Sequence, residues 1–285
     1  MMHPYKKNPP NWSIDEILNE LKIFSTLYKD RPIKKNIHGM MFPHMFAVFF
    51  ILRKLKPELV IESGVFKGQS TWLIEKSLPD AKIISIDINL KQREYISKKT
   101  KYSNVDFKYH DFTNIPKNTL VFFDDHQSHL DRIKECKFFD IKNIIFEDNY
   151  PSRTGDFLTM RHAYLNEGFN HPLTNLNIIK TTYLLLSLLF KKKINKNYYI
   201  SLDEIISRLR DRKPNSTDFK NIDKNIETYF EFPPIIKITK DEWDNDTNKD
   251  FLITTKPLLD NVTSNIEDFK SELQAYNYIT YIKLT

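Results

Sequence analysis

Ser13-Ile-Asp-Glu16 opens a stretch in which Ile14, Ile17, Leu18, Leu21, Phe24 and Leu27 recur at helical spacing. Serine at the cap with glutamate three residues on is a capping-box pattern, so an amphipathic helix is predicted to start there. A second, almost wholly apolar helix covers about 45–55 and stops before Pro57. Beyond it the period changes. Short apolar runs at 59–62, 82–88, 105–109, 119–123 and 142–146 alternate with helical patterns near 70–77, 92–99 and 130–136. Strands alternating with helices predict an α/β fold with a doubly wound, mostly parallel sheet. Late strands at 235–238, 251–254 and 278–284, with a helix at 266–275, would add an antiparallel C-terminal edge. The expected layout is an N-terminal helical segment (1–56), a cofactor-binding core (57–169), a mainly helical insertion covering substrate (170–240), and a tail completing the sheet (241–285).

The apolar run 176–190 lies in that insertion. It is shorter than the roughly 20 residues a membrane span needs and contains Lys180. It is expected to pack as a cover, with weak interfacial contact the alternative. Composition (40% hydrophobic, 28% charged) is that of a globular protein, and the net charge of +6 is spread along the chain. No nucleic-acid motif accompanies it, so no nucleic-acid partner is expected. One cysteine, Cys136, excludes an internal disulfide. With no signal-peptide pattern before Asn8-Pro-Pro10, a cytoplasmic location is the expectation.

Glycine is scarce: five, where average usage of ~7% would supply about 20. Two of them, Gly64 and Gly68, sit four residues apart directly after an apolar strand, in Val60-Ile-Glu-Ser-Gly-Val-Phe-Lys-Gly-Gln-Ser-Thr71. Glycine there permits a sharp turn and a close approach to the backbone. Asp87 ends the next strand nineteen residues past Gly68, where a carboxylate can accept both hydroxyls of a ribose.

These residues resemble the first motifs of class I, Rossmann-like S-adenosylmethionine-dependent methyltransferases. The resemblance spans roughly 38–165. It implies that Glu62, Gly64, Gly68, Ser70 and Asp87 bind S-adenosylmethionine, with Asp111 near the adenine. A third glycine, as nicotinamide enzymes carry, is absent.

Phe122-Phe-Asp-Asp-His-Gln-Ser-His129 ends the fourth strand and Phe146-Glu-Asp-Asn-Tyr150 the fifth. Neighbouring strand ends would bring Asp124, Asp125, Glu147, Asp148 and Asn149 together, and crowded carboxylates call for a cation. Oxygen ligands suit Mg²⁺ or Mn²⁺. The arrangement resembles metal-dependent O-methyltransferases of the catechol and the sugar- or antibiotic-modifying types. Asp148 fits both patterns. Gln127 stands where the catechol type has lysine, so His126 or His129 would supply the catalytic base. His38-Gly-Met-Met41 and Thr228-Tyr-Phe-Glu-Phe-Pro-Pro234 are candidate pocket-lining segments. The expected activity is metal-assisted O-methylation of a small polar acceptor, such as a sugar, glycan or polyol hydroxyl. The alternatives are a metal-free N- or O-methyltransferase and a non-catalytic nucleotide- or sugar-binding domain. A homo-oligomer is compatible with all three.

Overall fold

A computed structural model describes residues 7–169, 214–238, 256–275 and 277–285. In it the Ser13 cap opens helix α1 (Ile14–Tyr28), with Ser13 and Glu16 capping each other reciprocally. Helix α2 (Phe42–Leu55) starts earlier than its apolar pattern suggests. Pro43 suits a first helical turn, and the His44 ring accepts from the Met41 N–H. A left-handed Lys56 ends α2.

Strands β1 (Leu59–Ser63), β2 (Lys82–Ile86), β3 (Thr100–Ser103), β4 (Thr119–Phe123), β5 (Asn143–Phe146), β6 (Ile226–Glu231) and β7 (Thr280–Leu284) form one sheet. Its order is β3-β2-β1-β4-β5-β7-β6. β1 to β5 are parallel, and β7 runs antiparallel between β5 and the outermost strand β6. The doubly wound, mostly parallel sheet with an antiparallel C-terminal part is therefore the observed architecture.

Successive strand residues point to opposite faces, and the core divides accordingly. Val60, Leu120, Phe122 and Ile145 pack with α1, α2 and α3 (Gln69–Ser77) on one face. Ile61, Val121, Phe123 and Ile144 pack on the other with α4 (His129–Phe138), α5 (Met160–Leu165) and α6 (Ser216–Asp223). Both faces of β1 and β4 are buried along their whole length, as their unbroken apolar runs imply.

Four expectations are corrected. The third strand is Thr100–Ser103, and 105–109 holds instead a 3₁₀ turn that Asp106 caps. The Gln92–Lys99 helix is absent: a 3₁₀ turn at Leu90–Gln92 leads into loop and bend. The late strand is β6 at Ile226–Glu231, with 235–238 in a loop, so the Thr228–Pro234 segment is mostly sheet rather than pocket wall. Residues 266–275 form a 3₁₀ turn and further turns, not an α-helix. Most of the expected insertion, including 176–190, and the expected strand 251–254 lie outside the described residues. Among the described residues no helix is long and apolar enough to cross a membrane.

Candidate functional site

The carboxyl ends of β1, β2 and β4 open onto a cavity of about 350 Å³, a size typical of small-molecule sites. In open parallel sheets ligands sit at this end, where the strand order reverses between β1 and β4. Gly64 makes the first turn. It has φ +99°, and a Cβ there would lie 1.9 Å from the Asp124 carbonyl oxygen, so β1 and β4 close up only with glycine. Gly68 (φ +90°) permits a different approach from the one expected. A Cβ there would lie 2.4 Å from the Tyr95 carbonyl oxygen, so the space it leaves is filled by the chain's own backbone.

Asp87 lines the cavity and organises the glycine turn. Its Oδ2 accepts from the Val65 and Phe66 N–H groups, 2.9 Å each, and its Oδ1 from Asn89 N–H at 2.7 Å. Oδ2 is thereby saturated, while Oδ1 keeps acceptor capacity. His38 and Gly39, from the loop before α2, close one side. Glu62 is fully buried; Thr71 on α3 donates to it at 2.6 Å, and Ser85 on β2 also donates. Burial pushes the Glu62 carboxyl up against the opposing hydrogen bonds of Ser70, Ser85 and Thr71. Among the described residues its Oε1 has no hydrogen-bond partner. Ser70, on the same hydroxyl cluster, borders a small cleft with Asp124 and Gly39.

The acids after β3 shift with the strand. Asp106 lines the cavity. Asp111, the residue singled out from sequence, is exposed, accepts from the Thr113 backbone and hydroxyl, and is not among the lining residues.

Of the five acids and amides expected together, the structure brings two into one cluster. Asp124, His126 and Asp148 each offer a ligand atom, all within 4.8 Å of one another. Burial, and then the Asp148 charge, push the Asp124 carboxyl well above the usual range. Strand alternation sends the neighbours elsewhere. Asp125 turns to the α4 face, 2.8 Å from the Arg132 Nη2 and 2.6 Å from the Ser63 hydroxyl. Glu147 turns to the α2 face, 3.8 Å from the His44 Nδ1. Asn149 is wholly buried, giving its amide to Tyr229 and Glu231 and accepting from Arg161 N–H. It is a structural tie between β5, β6 and α5.

The two histidines separate equally clearly. His129 is buried, stacked 3.8 Å from the Phe146 ring, and its Nδ1 accepts from Met160 N–H. Burial, with His162 nearby, pushes it well below 6.5, so it packs as a neutral ring. His126 stands in left-handed backbone (φ 54°) with its side chain half exposed. Its Nδ1 is 3.3 Å from Asp156 and its Nε2 3.9 Å from Asp148. Burial opposes its charge, but Asp156, Asp148 and Asp124 outweigh that and push it up to about 10. Sequence patterns did not single out Asp156 or Arg132. The one available sign was Arg132 itself, an arginine between Leu130 and Ile133 on the apolar face of a helix.

A larger concavity, about 800 Å³, lies at the opposite end of the sheet, between α2 and the start of β2. Its Arg53 and Lys54 are paired with Glu20 and Glu16. It lies at the amino ends of the strands, away from the cluster.

No family model and no curated protein matches the chain. Among solved structures it is similar to SAH-bound methyltransferase PaMTH1 of Podospora anserina, 12% identical, TM-score 0.39, covering 80% of this chain and 87% of that one. It is likewise similar to plantazolicin methyltransferase BpumL in complex with a monoazolic desmethylPZN analog and SAH. There identity is 13% and TM-score 0.39, over 95% of this chain and 98% of that one. A CmcI structure with Mg and SAM is 18% identical, TM-score 0.33, over 50% of this chain and 68% of that one. Likeness at this level carries no argument about activity, which has to come from the residues themselves.

Proposed function

We propose that this chain is an S-adenosylmethionine-dependent methyltransferase. Its acceptor would be the hydroxyl of a small polar molecule, a sugar or polyol, with a divalent cation at Asp124 and Asp148. The observation that carries this is continuity: Asp87, at the glycine turn, and Asp124 and His126, of the acid cluster, line one cavity.

Asp87 is suited to hold the cofactor's ribose. Three backbone N–H groups fix its carboxylate, and the lone-pair site left on Oδ1 can accept a ribose hydroxyl. Two carboxylates near one another, one of them deeply desolvated, also fit a hard divalent ion such as Mg²⁺ or Mn²⁺. A bound ion would polarise the acceptor hydroxyl and lower its pKa.

His126 is suited to take the proton. In the neutral ring, Asp156 accepting from Nδ1–H would leave the Nε2 lone pair on the side of Asp148. It acts as a base only when neutral, so it works once the surrounding carboxylate charge is offset. The methyl group passes from sulfur to the acceptor oxygen while the acceptor proton ends on Nε2 and S-adenosylhomocysteine is left.

Titration of Mn²⁺, followed by its paramagnetic resonance, tests the cation site without knowledge of the acceptor. Wild-type chain and D125N are expected to bind one ion, and D124N and D148N to lose it while still binding S-adenosylhomocysteine. Undiminished Mn²⁺ binding by D148N would overturn the assignment.

A further inference from the structure

Gly155 is one of only five glycines in the chain, and it is not among the residues lining the cavity. It has φ +77°, and a Cβ there would lie 2.1 Å from Cδ2 of the Tyr150 ring. A free side chain would turn aside, but this ring is boxed in. Phe157 meets it edge-on at 5.6 Å between centroids, and Tyr278 at 6.1 Å. The backbone beneath it is pinned as well. The Thr159 hydroxyl donates to the Tyr150 carbonyl at 3.2 Å, and the His162 Nε2 lies 2.7 Å from the Pro151 carbonyl. Because His162 Nδ1 accepts from Thr159 N–H, Nε2 is the donor there. Glycine at 155 thus answers to a ring that has one fixed place. That place puts the phenol on Asp148: the Tyr150 hydroxyl donates to the carboxylate two residues before it. Tyr150 lines neither the cavity nor the cleft around the acid cluster, so it holds Asp148 from behind. Asp156, next to Gly155, lies 3.3 Å from the His126 Nδ1. One turn therefore sets both the acid and the histidine.

We infer that Tyr150 is a positioning residue for cation binding: its hydroxyl, seated by the Gly155 turn, keeps the Asp148 carboxylate beside Asp124 and His126. This rests on the cation assignment above. A carboxylate offers about four lone-pair sites, and a lone ligand can rotate among them. A fixed donor on one site selects one orientation and leaves the rest for an ion. Phenol suits this task because it is protonated throughout the neutral range and donates without carrying charge. An ammonium or guanidinium at the same point would hold Asp148 equally well but would repel the cation it serves.

The test is Mn²⁺ titration of the full chain, followed by paramagnetic resonance, with S-adenosylhomocysteine titrated into the same samples by calorimetry. Y150F keeps the ring and removes only the hydroxyl. It is expected to bind Mn²⁺ about ten- to a hundredfold more weakly than wild type, the usual cost of losing a ligand's outer partner. Its affinity for S-adenosylhomocysteine should be unchanged. G155A keeps the hydroxyl but crowds the ring, and it should lose Mn²⁺ affinity in the same selective way. It covers the case in which Y150F does not fold. Wild-type Mn²⁺ affinity in folded Y150F overturns the inference. So does loss of both ligands in equal measure, which is what a merely structural role would produce. A wild-type chain that binds S-adenosylhomocysteine but no Mn²⁺ would instead overturn the cation assignment, and this inference with it.

Discussion

Each reactive group at this site owes its direction to a backbone detail. Gly64 is the strictest: positive φ costs an L-residue about 1–2 kcal/mol, and a Cβ would overlap the Asp124 carbonyl as well. G64A is expected to lose more than about 2 kcal/mol in urea unfolding and to lose ligand binding, because β4 cannot stay in place. His129 gives a prediction with a sign. Its folded pKa lies well below 6.5, while an unfolded histidine titrates near 6.5. Below that pH the unfolded chain takes a proton that the folded chain refuses, so stability present above about pH 6.5 is lost as pH falls. H129Q should show a smaller drop in unfolding free energy between neutral and acidic pH than wild type. An equal drop would mean that His129 is not the titrating group.

At the scale of elements, Glu272 ties the end of α1 and the start of α2 to a segment far along the chain. It accepts from the Tyr28 hydroxyl at 2.6 Å, from Arg31 at 2.9 Å, and from the Phe42 N–H that begins α2 at 3.1 Å. A carboxylate at a helix N-terminus is favourable by itself. E272A is expected to cost about 2 kcal/mol in urea unfolding, while E267A, on an exposed pair with Lys270, should cost little. The same scale shows what was legible beforehand. β1, β4 and β5, buried on both faces, announce themselves as apolar runs, and Asp124 and Asp148 follow the ends of two of them, where the structure brings them near one another. β3 is Thr-Lys-Tyr-Ser at the sheet edge with no residue fully buried, so the more apolar Val105–Tyr109 reads as the strand and Asp111 as the acid that follows it. β6 carries no clean period-2 signal, its burial pattern being broken by a bulge between Ile226 and Thr228, and Pro233-Pro234 follow it directly. The side-chain commitments of Asp125, Glu147 and Asn149 depend on partners on other elements, Arg132, His44 and Tyr229. No local pattern reveals those.

Across the whole molecule, two separate cores on the faces of one sheet leave the carboxyl strand ends as the place where polar groups converge. The central claim is that Asp87 holds a ribose there. Calorimetric titration of S-adenosylmethionine into wild-type chain and D87A tests it most directly. The expected result is saturable one-to-one binding by wild type. In D87A, with its circular dichroism unchanged, binding should be weakened by at least about tenfold, the loss of one charge-assisted hydrogen bond. A wild-type chain that takes up no S-adenosylmethionine, or a folded D87A that binds it as tightly as wild type, would contradict the account.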